Sequence, residues 1–232
     1  MADISIEGRK IVFVKPPSWL RDELIPALVA QEFKVFYLDD HRKLGTVMHK
    51  YPGALIFVNK DKAPTGTTWD SVIDGFGEIR EAAGAIVQTV SMDGDRKSAV
   101  AVVQATVDKH GARGRRRFAR TNCSDNGDAT LNIRRDRDFY NGVILDISSA
   151  GFACQVPTLE DYLSLRMVVD DVQLTLANAR VQAQATVAAV RNGNPKTYVM
   201  LFASKLSQAN RQKIYSYIRR TSQRNFERSL KG

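Results

Sequence analysis

Along the first 110 residues, short runs of β-branched and aromatic residues alternate with segments whose apolar positions recur at helical spacing. KIVFVK at 10–15, KVFYL at 34–38, ALIFVN at 54–59 and AIVQTV at 85–90 predict strands. Leu20, Leu24 and Leu28 repeat at helical intervals after Ser18, a residue suited to cap a helix start, and Val72, Ile73, Phe76 and Ile79 do the same after Trp69. Pro26 removes a backbone donor within the first of these helices and predicts a kink. A further helix over 96–109, with Val100, Val103 and Val107 on one face, closes this half. Strands separated by helical segments predict a parallel sheet with crossover helices, an α/β domain over residues 1–110.

The helical periodicity stops at HGARGRRRFARTNCSDNGD, where Gly, Asn, Asp and Arg dominate, and residues 111–127 read as a linker. Beyond it, over 128–232, the apolar period changes to two. LNI at 131–133, FYNGVILDIS at 139–148, GFACQV at 151–156, RMVVDDVQLTL at 166–176, RVQAQATVAAVR at 180–191 and TYVMLF at 197–202 predict six strands. In the fifth of them Val181, Ala183, Ala185, Val187 and Ala189 fall on one face and Gln182, Gln184 and Thr186 on the other, so that strand is half-buried. Asn192-Gly193 supplies a tight-turn signal before the last. Short antiparallel strands at this spacing predict a small barrel. A final helix from about Ser207 aligns Ile214, Tyr217, Ile218 and Thr221 in a stripe fit to cover a barrel end. Its other surfaces carry Arg211, Lys213, Arg219, Arg220, Arg224 and Arg228, the composition of a solvated face.

Charge sharpens this division. The 232 residues hold 34 Lys+Arg against 25 Asp+Glu, yet residues 1–110 carry a net charge of -1 and residues 111–232 carry +10. The asymmetry predicts two domains with different partners, the second facing something anionic: nucleic acid, a phosphorylated small molecule or an acidic membrane. Cys123 and Cys154 form no CxxC pair and read as reduced thiols. No run approaches the roughly 18 apolar residues of a spanning helix, and the opening MADISIEGRKIVFV lacks the apolar stretch of a leader, so the expected location is the cytoplasm without membrane insertion.

In its order of elements, the first half resembles a response-regulator receiver domain over about 100 residues. Receiver chemistry needs acidic metal ligands after the first strand and a phosphate-accepting aspartate at the end of the third. Here those places hold Lys15-Pro16-Pro17 and Asn59. An amide cannot form an acyl phosphate, and a lysine repels a cation. The resemblance is thus to a degenerate receiver, a scaffold that binds a partner without being phosphorylated. A displaced site would have to use Asp61, Asp39 or Asp40.

The densest charge is Arg113, Arg115, Arg116, Arg117 and Arg120, five arginines and no lysine within residues 111–120. A guanidinium fork can grip a phosphate or a guanine edge with two parallel hydrogen bonds. A second group lies at Asp146-Ile147-Ser148-Ser149-Ala150-Gly151. Strand periodicity puts Asp146 and Ser148 on one face and Val143, Leu145 and Ile147 on the core face. A carboxylate accepts only, which matches the N1 and N2 donors of guanine, while Ser148 can donate or accept and Gly151 permits unusual backbone angles or a close approach of ligand.

Together, RRxxxR as Arg115-Arg116-Arg117-Phe118-Ala119-Arg120 and DxSxxG as Asp146 to Gly151 resemble the paired signature of the PilZ domain family, bacterial receptors for cyclic di-GMP. The strand string after them and TYVMLF leading into LSQANRQKIYSYI extend the resemblance over about 110 residues. With the receiver resemblance of the first half, it implies a two-domain fold: an N-terminal α/β receiver-like parallel-sheet domain followed by an all-β six-stranded PilZ-type barrel and a C-terminal helix. It also implies that Arg115, Arg116 and Arg120 clamp the ligand while Asp146, Ser148 and Gly151 receive a guanine from the other side. The expected activity is that of a cyclic di-GMP effector in motility or biofilm regulation, without catalysis, cofactor or metal. Ligand binding would order the arginine segment, re-orient the two halves and alter what the N-terminal domain shows to a protein partner.

Two other readings remain. A basic nucleic-acid-binding regulator would use the arginine run to track phosphates, although nucleic acid is the less favoured partner. A response regulator with a displaced phosphoacceptor would need an acidic site that Asn59 does not supply. His41, His49 and His110 are scattered, and no HExxH, GxSxG or phosphate-binding glycine loop occurs; APTGTTWD at 63–70 lacks the lysine such a loop requires.

Overall fold

The four apolar runs of the first half become parallel strands: β1 (Ile11–Val14), β2 (Val35–Leu38), β3 (Leu55–Asn59) and β4 (Ile86–Val90), in the order β2-β1-β3-β4. The computed structural model describes residues 8–112, 118–125, 127–160, 162–203 and 205–231. Within it the chain forms two compact units, residues 1–117 with 223–232, and residues 118–222.

In the first unit, β1 and β3 are buried on both faces, which explains their unbroken apolar sequence. The expected kink at Pro26 takes the form of a wide π-helical turn over Leu20–Leu24, in which Ile25 N–H reaches back to Leu20 O, before α1 (Ile25–Ala30). Pro26 has no N–H to continue the regular ladder, so the widened turn precedes it. The structure adds α2 (Leu44–Lys50), which sequence reading did not anticipate, with Leu44, Val47 and Met48 buried. The segment after Trp69 is two helices, α3 (Trp69–Asp74) and α4 (Gly77–Ala83), interrupted at Gly75; Ile79 is consequently exposed. α5 (Arg96–Lys109) is capped by Asp95 and buries Ala99, Val103, Thr106 and Val107, leaving Val100 exposed rather than on the core face.

The second unit holds β5 (Arg120–Asn122), β6 (Ala129–Arg135), β7 (Asp138–Ser148), β8 (Gly151–Gln155), β9 (Val168–Leu176), β10 (Ala179–Arg191) and β11 (Thr197–Phe202). Among the described residues, β7-β6-β9-β10-β11-β8 form an antiparallel sheet that β7–β8 pairing closes into a six-stranded barrel. Arg120–Asn122, within the expected linker, is a short strand added to β7. Val181, Ala183, Ala185 and Val187 enter the core as expected, and a bulge after Val187 ends the alternation before Ala189. The turn expected at Asn192-Gly193 is a longer loop over 192–196, because Pro195 cannot donate to a ladder.

α6 (Gln208–Ser229) follows, and Ile214, Tyr217 and Ile218 join the barrel core with Tyr198, Met200 and Phe152. The domain expected over 128–232 would hold all of α6, whereas the compact units divide that helix after Ser222. The reason lies in its last turns. Phe226 stacks on Phe36 at 4.6 Å and on Tyr51 at 5.5 Å. Gln223 accepts from Tyr37 N–H at 3.1 Å and donates to Tyr37 O at 3.0 Å, so its amide pairs with edge strand β2 as a neighbouring strand would.

Candidate ligand-binding site

β5 lies antiparallel to the end of β7, pairing Arg120 with Ser148, Thr121 with Ile147 and Asn122 with Asp146. Thr121 and Ile147 are buried, so alternation turns Arg120, Asn122 and Asp146 to the opposite, outer face. There Arg120 Nη1 stands 3.5 Å from Asp146 Oδ2, with the two side chains 41% and 26% exposed. An ion pair this accessible is worth about 0–1 kcal/mol, too little to hold the guanidinium against a better anion.

The core-face expectation for β7 needs correction. Ile144 and Ile147 are buried while Val143 is exposed, because a bulge between Ile144 and Asp146 inserts an extra residue against β8. The bulge shifts the parity of the strand, and Asp146 still reaches the outer face. Ser148 is buried and turned back on its own turn, donating to Gly151 O at 3.1 Å and accepting from Ala150 N–H at 3.3 Å. Gly151 shows no positive φ; a Cβ there would lie 2.1 Å from Met200 O, so the glycine admits the backbone of β11. Arg115 and Arg116, like Arg113 and Arg117, lie outside the described residues.

Sequence reading missed Asn122 and the anchor below it. Three residues are too short a strand to show a period, although Thr121 between two polar neighbours carries the alternation. Beyond β5, Tyr217 of α6 donates to Asp128 Oδ1 at 2.7 Å, and burial together with this bond to Asp128 pushes the Tyr217 phenol up. Burial pushes the Cys123 thiol up to about 11 and the Cys154 thiol up to about 12, so neither is a nucleophile at neutral pH.

In the first unit, Asn59 is buried and bonded to its own loop, with Nδ2 donating to Lys15 O at 3.0 Å and Oδ1 accepting from Asp61 N–H at 3.1 Å. Asp61 accepts from the Ser91 hydroxyl and from the N–H groups of Met92 and Asp93, each at 2.8 Å to Oδ2. These bonds hold its carboxyl below the usual range. Asp39 pairs with Arg21, and Asp40 caps the turn at Arg42. Asp61 and Asp40 thus serve loop and turn structure, while Asp39 stands in an exposed ion pair. Among the described residues no cluster of His, Cys, Asp and Glu is arranged to hold a metal, and no helix is long and apolar enough to cross a membrane.

A family model described as the PilZ domain matches residues 114–220, from the arginine segment through the barrel into α6. Residues 114–220 are a PilZ domain. No curated protein matches the chain. Among solved structures, the PilZ domain of YcgR from Escherichia coli with c-di-GMP is 13% identical, at a TM-score of 0.42, over 50% of this chain and 98% of that one. The Bacillus subtilis inhibitor of motility (MotI/DgrA) is 19% identical at a TM-score of 0.39, over 50% and 53%. The K. pneumonia MrkH in its apo state is 22% identical at a TM-score of 0.40, over 52% and 53%. The chain thus spans about half the length of MotI and MrkH.

Proposed function

We propose that this chain is a cyclic di-GMP-binding effector, without catalytic activity of its own, whose PilZ domain takes the ligand between the arginine segment and the outer face of β5 and β7. The observation that carries the reading is the pairing of β5 with β7, which sets Arg120 beside Asp146 on an accessible face of a PilZ domain. A doubly anionic ligand offers Arg120 a charge-assisted bond stronger than its exposed ion pair, and a guanine edge offers Asp146 the donors that a carboxylate lacks. Arg115 and Arg116 complete the clamp from the segment that enters β5. Ser148 and Gly151 serve the site by fixing the turn and the strand spacing behind Asp146.

Binding then orders the arginine segment and re-orients the two units, presenting a different surface of the N-terminal unit to a protein partner in the cytoplasm, in motility or biofilm control. The test is titration calorimetry with cyclic di-GMP on wild type, Arg116→Ala and Asp146→Ala, accompanied by small-angle scattering with and without ligand. Each substitution is expected to weaken binding at least tenfold, about 1.4 kcal/mol, and the scattering profile to change at saturation. Undiminished affinity in both variants would remove the site. Identical profiles would remove the re-orientation, and affinity that falls steeply with salt yet ignores Asp146→Ala would favour the nucleic-acid reading.

A further inference from the structure

We infer that Asn122 reads the base: its amide donates to the O6 carbonyl of a guanine whose N1 and N2 hydrogens Asp146 accepts, so the two residues together select guanine over adenine. The inference rests on the receptor reading above and adds a residue that lies in neither sequence motif.

Four observations place the pair. Asn122 and Asp146 are direct partners in the β5–β7 register. The bond from Cys123 N–H to Leu145 O, at 2.8 Å, marks them as a non-hydrogen-bonded pair, the kind whose Cα atoms approach to about 4.5 Å and whose side chains lie closest. Both side chains leave the outer face, since Thr121 and Ile147 beside them are buried. Finally, the amide has a fixed orientation. Ser124 N–H donates to Asn122 Oδ1 at 2.8 Å, and a backbone donor can meet only the oxygen, so the NH2 is the opposite terminus.

The neighbouring groups therefore read as acceptor-only carboxylate and then amide donor. Guanine presents the complement along its Watson–Crick edge: the N2 and N1 hydrogens followed by the O6 lone pairs. Adenine presents a lone pair at N1 and hydrogens at N6, which sets acceptor against acceptor and donor against donor. A site built around such bonds penalises the wrong base by leaving its own polar groups unsatisfied.

Asn122 also closes β5 by its turn to Ser124, so the variants must keep an acceptor there. Asn122→Asp preserves the turn and turns the donor into an acceptor; Asn122→Ser preserves a shorter acceptor without adding charge. Calorimetry on the full chain compares cyclic di-GMP with cyclic di-AMP for wild type and both variants, with circular dichroism confirming the fold. Wild type is expected to prefer cyclic di-GMP by about a hundredfold or more, and each variant to lower that ratio by at least about tenfold. The added charge of Asn122→Asp weakens both anionic ligands alike, so the ratio isolates the base. Retained cyclic di-GMP binding with an unchanged ratio in both variants overturns the assignment of Asn122 alone. A wild type that binds no cyclic di-GMP overturns the receptor reading and this inference with it.

Discussion

At Gly151 an added methyl group would land 2.1 Å from the carbonyl oxygen of Met200 and 2.9 Å from the Cα of Leu201, both on β11. Backbone atoms cannot swing aside as a side chain can, so Gly151→Ala must push β8 from β11 where the two pair. The expected loss is about 1–3 kcal/mol or more, read as a lower urea midpoint with or without ligand. The residue types of DxSxxG were legible in sequence, but their separate tasks were not. Asp146 faces outward, Ser148 bonds its own turn and Gly151 makes room for a strand nearly fifty residues later in the chain. Those tasks depend on which strand lies alongside, and a linear pattern does not contain that.

Elements were legible in proportion to their length and regularity. β1 and β3 are continuous apolar runs, and α5 has Asp95 at its start, so local sequence and final structure agree. α2 is seven residues, LGTVMHK, with a glycine and two β-branched residues; packing of Leu44, Val47 and Met48 forms it against weak intrinsic propensity. The bulge in β7 arises because that strand serves β6 along its first half, β5 along its last residues, and β8 on its other edge. α6 was legible as a helix, but not the use of its final turns. Phe226 is almost fully buried between Phe36 and Tyr51. Phe226→Ala should cost the first unit about 3–5 kcal/mol, appearing as earlier denaturant unfolding of that unit while the barrel transition stays in place.

Across the whole molecule, the buried thiols set an alkaline limit. Cys123 and Cys154, ordinarily near 9, are raised to about 11 and about 12 by burial. Above pH 9 the unfolded chain releases these protons while the folded chain keeps them. Stability is therefore undiminished by these groups below pH 9 and falls as pH climbs through 11. Urea midpoints for the barrel should drop between pH 8 and pH 10.5, and the drop should be smaller for the Cys123→Ala/Cys154→Ala double variant, each compared with its own value at pH 8. The bulk charge division visible in sequence, -1 against +10, says nothing of this limit, which comes from two uncharged side chains.

The division of α6 has a topological consequence. The polypeptide leaves the first unit at residue 117, builds the entire barrel, and returns at residue 223 to finish what it began. The PilZ domain is therefore an insertion, joined to its host by two covalent crossings rather than one. Excising residues 1–117 as an independent fragment would strip away Gln223 and Phe226, leaving an open sheet margin and an unfilled aromatic slot. Nicking the arginine segment, by contrast, would leave the halves tethered through an intact helix.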